Sequence, residues 1–246
     1  MKRLVIVSGL VFGLTCCYMR AQEQPAMHAP DGGTRERLES LTILPATNAS
    51  FVATVTTEWT SILVDGSKQT NWNHRTVARD SSGRVFQERR FFSPRGDKEA
   101  TMISELDFAD PNRHEMYVCR SQERVCYVRQ YNDTPSVNLM PAGQIPNGKG
   151  SIERDDLGRK TIDGVDVIGS REITTINAGV VGNEKSEPIV KEFWYSSRLG
   201  INVITKRFDP RAGIQNFVVS NISQSEPDPK MFEPPQDYRV VKMSGQ

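Results

Sequence analysis

The chain has 246 residues, enough for one sizeable domain, and a mainly-β domain of this length need not split. Its 31 Lys and Arg against 30 Asp and Glu leave a formal net charge of +1, so it has no electrostatic footprint of a nucleic-acid binder. Three histidines in the whole chain leave little material for imidazole chemistry.

Lys2 and Arg3 form a short positive segment, residues 4–17 an apolar run, and Ala21 follows closely. This is the layout of a secretory signal peptide over residues 1–21. The run is shorter than the roughly 20 apolar residues of a spanning helix, and Arg20 would sit in hydrocarbon. Cleavage is expected after Ala21, although Met19 is not the usual small residue at the upstream position. The alternative is acylation at Cys16 or Cys17, whose preceding residues Gly-Leu-Thr and Leu-Thr-Cys fit that signal poorly. No later apolar run is long enough to span a membrane, so no transmembrane segment is expected in the mature chain. Without Lys2, Arg3 and Arg20, 28 of the 31 basic residues remain against the 30 acidic ones.

Residues 22–48 read as a flexible leader, with Pro25, Pro30, Gly32 and Gly33 near its start. Within it, Thr34 could cap a short helix over 34–44. Arg37 stands where a capping box needs Glu, so coil is the competing reading. From residue 49 the pattern is β. Residues 51–64 alternate, with Phe51, Ala53, Val55, Thr57, Trp59, Ser61 and Leu63 on one face. Asp65-Gly66 turns the chain into a strand over 68–79, Asp80 to Gly83 turn it again, and 84–92 and 102–108 follow.

Cys119 and Cys126 flank Arg-Ser-Gln-Glu-Arg-Val in a hairpin pattern. A turn centred on Gln122 and Glu123 sets Ser121 opposite Arg124 and the two cysteines opposite each other. An exported chain with one cysteine pair predicts a disulfide, ahead of free thiols or a metal pair, because zinc sites want short Cys-x-x-Cys spacing with further ligands.

Residues 132–150, rich in Pro, Gly and amides, read as a long loop. Strands resume at 153–162 and, after Asp163-Gly164, at 165–176. A second loop covers 178–188. The segment Glu-Phe-Trp-Tyr-Ser-Ser-Arg-Leu-Gly-Ile-Asn-Val-Ile-Thr-Lys-Arg-Phe from Glu192 to Phe208 supplies two strands, and 214–222 the last. The fold class read from this series is mainly β with little helix, about eleven strands in one antiparallel meander.

Three elements carry a resemblance: the Gly158-x-x-x-Ile162-Asp163-Gly164-Val165 hairpin, the strand Phe193-Trp194-Tyr195-Ser196, and the tail Asp228-Pro229-x-x-Phe232-x-x-Pro235. Over residues 50–241 the chain resembles a group of secreted bacterial proteins of the LolA/RseB-like lipoprotein-carrier superfamily. That resemblance implies a β domain over 49–242: a strongly curved, unclosed antiparallel half-barrel with helices in its concave side. It also implies a periplasmic or outer-envelope location in a bacterium. Apart from 34–44 the chain offers no clear amphipathic helix for the concavity. An open hollow, a plugged one, and one filled by the 132–150 loop all remain expectations.

The inventory for catalysis is thin. His28 lies in the leader, His74 beside Arg75 on a strand, and His114 at a turn, none with a second ligand at metal spacing. There is no nucleophile elbow and no phosphate-binding glycine loop. Asp155 and Asp156 are adjacent, so on a strand they point to opposite faces instead of forming a hydrolytic pair. Glu184, Glu187 and Glu192 read as loop charges. Asn48-Ala-Ser, Asn132-Asp-Thr and Asn221-Ile-Ser match a glycosylation pattern that is common by chance.

Trp59, Trp72, Phe91, Phe193 and Trp194 are the candidate ligand-binding residues, each to be weighed against plain core packing. Phe193 and Trp194 are neighbours, so at most one can line a groove. The expected function is therefore non-enzymatic: binding of a lipophilic ligand, a lipid or lipoprotein, in the concave face, with no cofactor, no metal and no nucleic acid. The alternative is a regulatory or scaffolding module that binds another envelope protein through a sheet edge. An enzymatic reading would need a polar cluster that converges only in the fold.

Overall fold

The computed structural model describes residues 29, 42–96, 101–131 and 140–243. The expected signal peptide, the candidate helix up to residue 41, His28 and the 132–139 part of the long loop lie outside the described residues.

Among the described residues fourteen strands form one sheet. In chain order they are β1 (Phe51–Ile62), β2 (Lys68–Arg79), β3 (Val85–Arg90), β4 (Ser93–Pro94), β5 (Ile103–Asp110), β6 (Glu115–Arg120), β7 (Val125–Gln130), β8 (Gly143–Ile145), β9 (Gly150–Ile162), β10 (Val165–Ile176), β11 (Glu187–Ser196), β12 (Ile201–Asp209), β13 (Gly213–Ser223) and β14 (Arg239–Lys242). The spatial order is β14-β7-β6-β5-β3-β2-β1-β13-β12-β11-β10-β9-β8, with β4 beside β2. The two ends of this order, β14 and β8, do not pair, so the sheet is open.

The turns follow their residues. Asp163 (φ 50°) and Gly164 (φ 75°) both adopt positive φ, the conformation of a two-residue hairpin between Ile162 and Val165. At the β12–β13 corner Gly213 has φ 86°, and a Cβ there would lie 2.1 Å from the Thr60 carbonyl oxygen. Only glycine admits that approach. All pairs are antiparallel except β14, which runs parallel to β7. The meander alone cannot give that pair, because the tail must cross back to the far edge.

The bend of the sheet is visible in two hydrogen bonds. On a flat sheet β2 and β12 would be about 14 Å apart, three spacings of roughly 4.8 Å. Yet Arg79 Nη2, on β2, donates to the Leu199 carbonyl in the β11–β12 turn at 2.5 Å. Likewise the Ile222 amide of β13 donates to Asp163 Oδ2, in the β9–β10 turn, at 2.7 Å. The face that carries Arg79 is therefore the inside of the bend.

Inside, Phe51, Ala53 and Val55 of β1 pack with Val77, Val85, Phe217 and Val219, closed by Ile43, Leu199, Ile201 and Val203. Residues 42–48, expected within a flexible leader, are held in place. Ile43 is buried, and Arg79 donates to the Leu44 and Ala49 carbonyls. Further upstream, Ala29 exchanges two hydrogen bonds with the Asn202 side chain. Outside, Ala78, Phe86, Phe108 and the Cys119–Cys126 disulfide make a second core. Phe232 covers it, delivered by a single 3-10 turn at Pro229–Phe232 whose first donor is capped by Asp228.

Candidate functional site

Direct cross-strand partners share a face, so the register carries the inner face from strand to strand. Arg79, Val77 and Arg75 alternate along β2. Val77 stands opposite Gln87 and, along the same face of β3, Arg89 stands opposite Glu105, which stands opposite Arg120. Toward one end this face is apolar core. Beyond Val55 and Val77 it becomes polar, with Thr57, Asn73, Arg75 and Asp107 all buried. On the other wing Arg207 and Asp209, each 1% exposed, form an ion pair at 2.9 Å. Burial works to raise the Asp209 carboxyl, but the hydrogen bonds from Arg211 and Arg207 outweigh it and hold the group low.

The β2–β3 ladder stops at Val77–Gln87, and β4 resumes it at Trp72–Ser93. Side chains fill the interruption. Glu88 Oε2 accepts from the Thr76 amide at 2.9 Å and from Arg90 Nε at 3.1 Å, and Asn73 Nδ2 donates to the Arg90 carbonyl at 2.9 Å. Arg75, 6% exposed, donates through Nη1 to Thr57 Oγ1 at 3.0 Å and forms no ion pair among the described residues. Its Nη2 has no hydrogen-bond partner there. Burial first, and the Arg89 charge second, bring the Arg75 pKa down to about 10.

Arg89 Nε lies 2.8 Å from Asp107 Oδ2 and 3.4 Å from Glu105 Oε1. Burial, and then the Asp107 charge, push the Glu105 carboxyl above its ordinary value. Asp107 Oδ1 is buried with no hydrogen-bond partner among the described residues. Beside this cluster opens a cleft of about 230 Å³, lined by Arg89, Phe91, Ser104, Glu105, Arg120, Gln122 and Glu123. Arg120 pairs with Glu123 at 3.0 Å. At the mouth Phe91 and Met102 are exposed, joined by a backbone hydrogen bond, and the neighbouring Phe92 stacks on Trp59 at 4.5 Å.

The five aromatic candidates separate between the faces. Trp59 lies on the inner face, half-buried; Phe193, reached through Thr57–Phe217–Thr205, lies there too and is buried. Trp72, opposite Glu58 and 5.4 Å from the His74 ring, is on the outer face. Trp194 points away from its neighbour Phe193 on β11 and is half-buried against the apolar core. It covers Gly169, where a Cβ would meet its ring at 2.7 Å, and the Lys160 ammonium sits 3.4 Å over it. Phe91 stands just past the end of β3 and lines the cleft.

His114 is exposed at a turn. Asp155 pairs with Arg171, while Asp156 accepts from the Gly158 amide. Glu187 and Glu192 lie on β11, not in the loop as expected, and pair with Arg211 and Lys206. Among the described residues no three His, Cys, Asp or Glu side chains are grouped to hold a metal ion, and no helix is long and apolar enough to cross a membrane.

The charged cluster was not singled out from sequence. Its signal was there, as charges in core phase: Arg75 and Arg79 alternate with Val77, Arg89 with Val85, and Asp107 with Ala109.

The class defined so far is an open, strongly bent β sheet with a charged inner face. No family model and no curated protein matches the chain. Solved structures are similar in fold. One is an uncharacterized conserved protein from Thermus thermophilus, with a TM-score of 0.40 and 9% identity over 79% of this chain and 91% of that one. Another is the Pseudomonas aeruginosa MucA/MucB complex, with a TM-score of 0.39 and 12% identity over 79% of this chain; this chain spans 58% of the matched one. A third is the Mycobacterium tuberculosis lipoprotein LppX, with a TM-score of 0.25 and 12% identity over 73% of this chain and 90% of that one.

Proposed function

We propose that the protein is a non-enzymatic, exported envelope protein that binds an amphiphile, a lipid or the lipidated end of a partner, on the inner face of its sheet. The observation that carries this reading is the junction at the cleft. An apolar rim of the exposed Phe91, Phe92 and Met102, backed by the half-buried Trp59, abuts the ionic cluster of Arg89, Glu105, Asp107 and Arg120. Acyl surface leaving water for that rim gains about 0.8 kcal/mol per methylene. The charged groups fix the polar end, which apolar contact alone cannot orient.

The alternative, docking of another envelope protein along a sheet edge, has weaker support. Among the described residues β8 covers β9 only over Gly150–Ile152. The rest of that edge carries Glu153, Arg154, Asp155, Asp156, Arg159 and Lys160, with a register shift across Gly169 and Ser170 of the neighbouring β10. At the other edge β14 has four residues, bounded by Arg239 and Lys242. Charge, irregularity and shortness are the devices that discourage strand addition.

The test is native mass spectrometry of the protein purified under mild conditions, followed by extraction and titration with a fluorescent acyl probe. A co-purifying amphiphile and saturable probe binding after extraction are expected. An empty protein that shows no saturable binding would overturn the reading.

A further inference from the structure

We infer that the cleft between β3 and β6 receives a zwitterionic head group, an ammonium tethered to a phosphate or carboxylate, at one end of the bound amphiphile. This rests on the amphiphile reading above and adds the chemistry of the polar end.

The lining holds two guanidinium groups, Arg89 and Arg120, and two carboxylates, Glu105 and Glu123. They are cross-connected as Arg89–Glu105 at 3.4 Å and Arg120–Glu123 at 3.0 Å. A purely anionic ligand would have to sit beside two carboxylates, and a purely cationic one beside two guanidinium groups. A zwitterion exchanges partner for partner and leaves the site's charge balanced. Its oxyanion can take the N–H donors of Arg89 and Arg120 in charge-assisted hydrogen bonds while its ammonium faces Glu105 and Glu123.

Two observations besides charge point to a ligand. Behind Arg89 the Asp107 carboxylate, 4% exposed, has Oδ1 without a hydrogen-bond partner among the described residues, and so does Ser121 Oγ, between two lining residues. Buried polar atoms left unpaired in a native fold are commonly completed by a bound molecule. The size also fits. The cleft's 230 Å³ corresponds to about eight waters, room for a compact head group of about as many heavy atoms. Phe91 belongs to both the cleft and the rim, so a chain attached to the head group leaves over apolar surface.

The experiment is calorimetric titration near neutral pH with short-chain lipids that share their tails and differ in head group, below their micelle concentrations. Dihexanoyl phosphatidylethanolamine should bind at least about tenfold more tightly than dihexanoyl phosphatidylglycerol, the worth of one good charge contact. Free phosphoethanolamine, which lacks the tails, should bind about a hundredfold more weakly than the ethanolamine lipid. Glu105→Gln and, separately, the exposed Glu123→Gln should each reduce the head-group preference and strengthen binding of the glycerol lipid. Melting curves of both variants check that they fold. Equal affinity for the two lipids would overturn the head-group assignment and leave the amphiphile reading standing. Binding of neither would overturn that reading itself. Free phosphoethanolamine that binds as tightly as its lipid would overturn the assignment to a lipid head.

Discussion

Arg79 and Leu199 are 120 positions apart in the sequence, yet the guanidinium Nη2 of the first donates to the carbonyl of the second at 2.5 Å. The same guanidinium serves Leu44 at 2.7 Å and Ala49 at 2.8 and 2.9 Å. Two segments of chain, the stretch before β1 and the β11–β12 turn, are thereby tied to β2 by one side chain with no exposed surface. Burial lowers its pKa to about 10, still far above physiological pH, so the charge persists. No carboxylate accompanies it in these bonds; carbonyl dipoles do the compensating.

Arg79→Met keeps the apolar stem and removes every one of these donors. Three carbonyls then lose this donor, each at about 1–3 kcal/mol, so a loss of at least about 3 kcal/mol is expected in urea unfolding. Arg79→Lys should recover only part of it, since an ammonium cannot span the same fork. A loss under about 1 kcal/mol would mean that the bend is held by apolar packing alone.

The disulfide is a second constraint. Cys119 and Cys126 are directly opposite on β6 and β7, both fully buried in the outer core. For so short a loop, chain entropy gives about 2–3 kcal/mol. A Cys119→Ala/Cys126→Ala double variant should melt lower by a corresponding amount, and reductant should shift the parent but not the variant. Coincident melting curves for parent and variant would show the bond to be inert.

Local patterns were legible in the sequence. Lys68–Arg79 and Val165–Ile176 begin and end where the alternation and the Asp-Gly turns set them, and the cysteines pair in the expected register. Three short strands escaped, Ser93–Pro94, Gly143–Ile145 and Arg239–Lys242. None has a period long enough to register, and β14 exists only because the tail returns to β7. The inner face was legible as alternation but not as chemistry. Apolar burial, the expected use of the face, pointed to its aromatic residues. What the face presents at the cleft is charge, which converges only once β2, β3, β5 and β6 lie side by side.

The tail motif that carried the family resemblance has a physical role. Asp228 Oδ1 accepts from the Lys230 amide at 3.0 Å, Pro229 occupies the first position of the turn, and Phe232 is driven into the outer core. The Arg84 guanidinium lies 5.0 Å over the ring. Phe232→Ala should cost about 3–5 kcal/mol and release the tail. Hydrogen exchange at the Arg239 amide, bonded to the Arg124 carbonyl, should then rise toward the rate of an open loop. Unchanged protection there would show that β14 docks independently of the ring.

Glu105 is expected to cost stability at neutral pH. Burial raises its pKa above 4.5, and the Asp107 charge adds to that, while Arg89 opposes it only in part. A carboxyl whose folded-state pKa lies above its unfolded value binds its proton more tightly when folded. Its favourable contribution is complete below the unfolded value and is lost as pH rises through the folded one. Glu105→Gln, which cannot ionise, should therefore gain on the parent as pH is raised from below 4.5 to neutrality, and the two should converge in acid. Urea unfolding at a series of pH values reads this directly. If the variant were instead progressively less stable than the parent toward neutral pH, Glu105 would be an ordinary stabilising partner of Arg89.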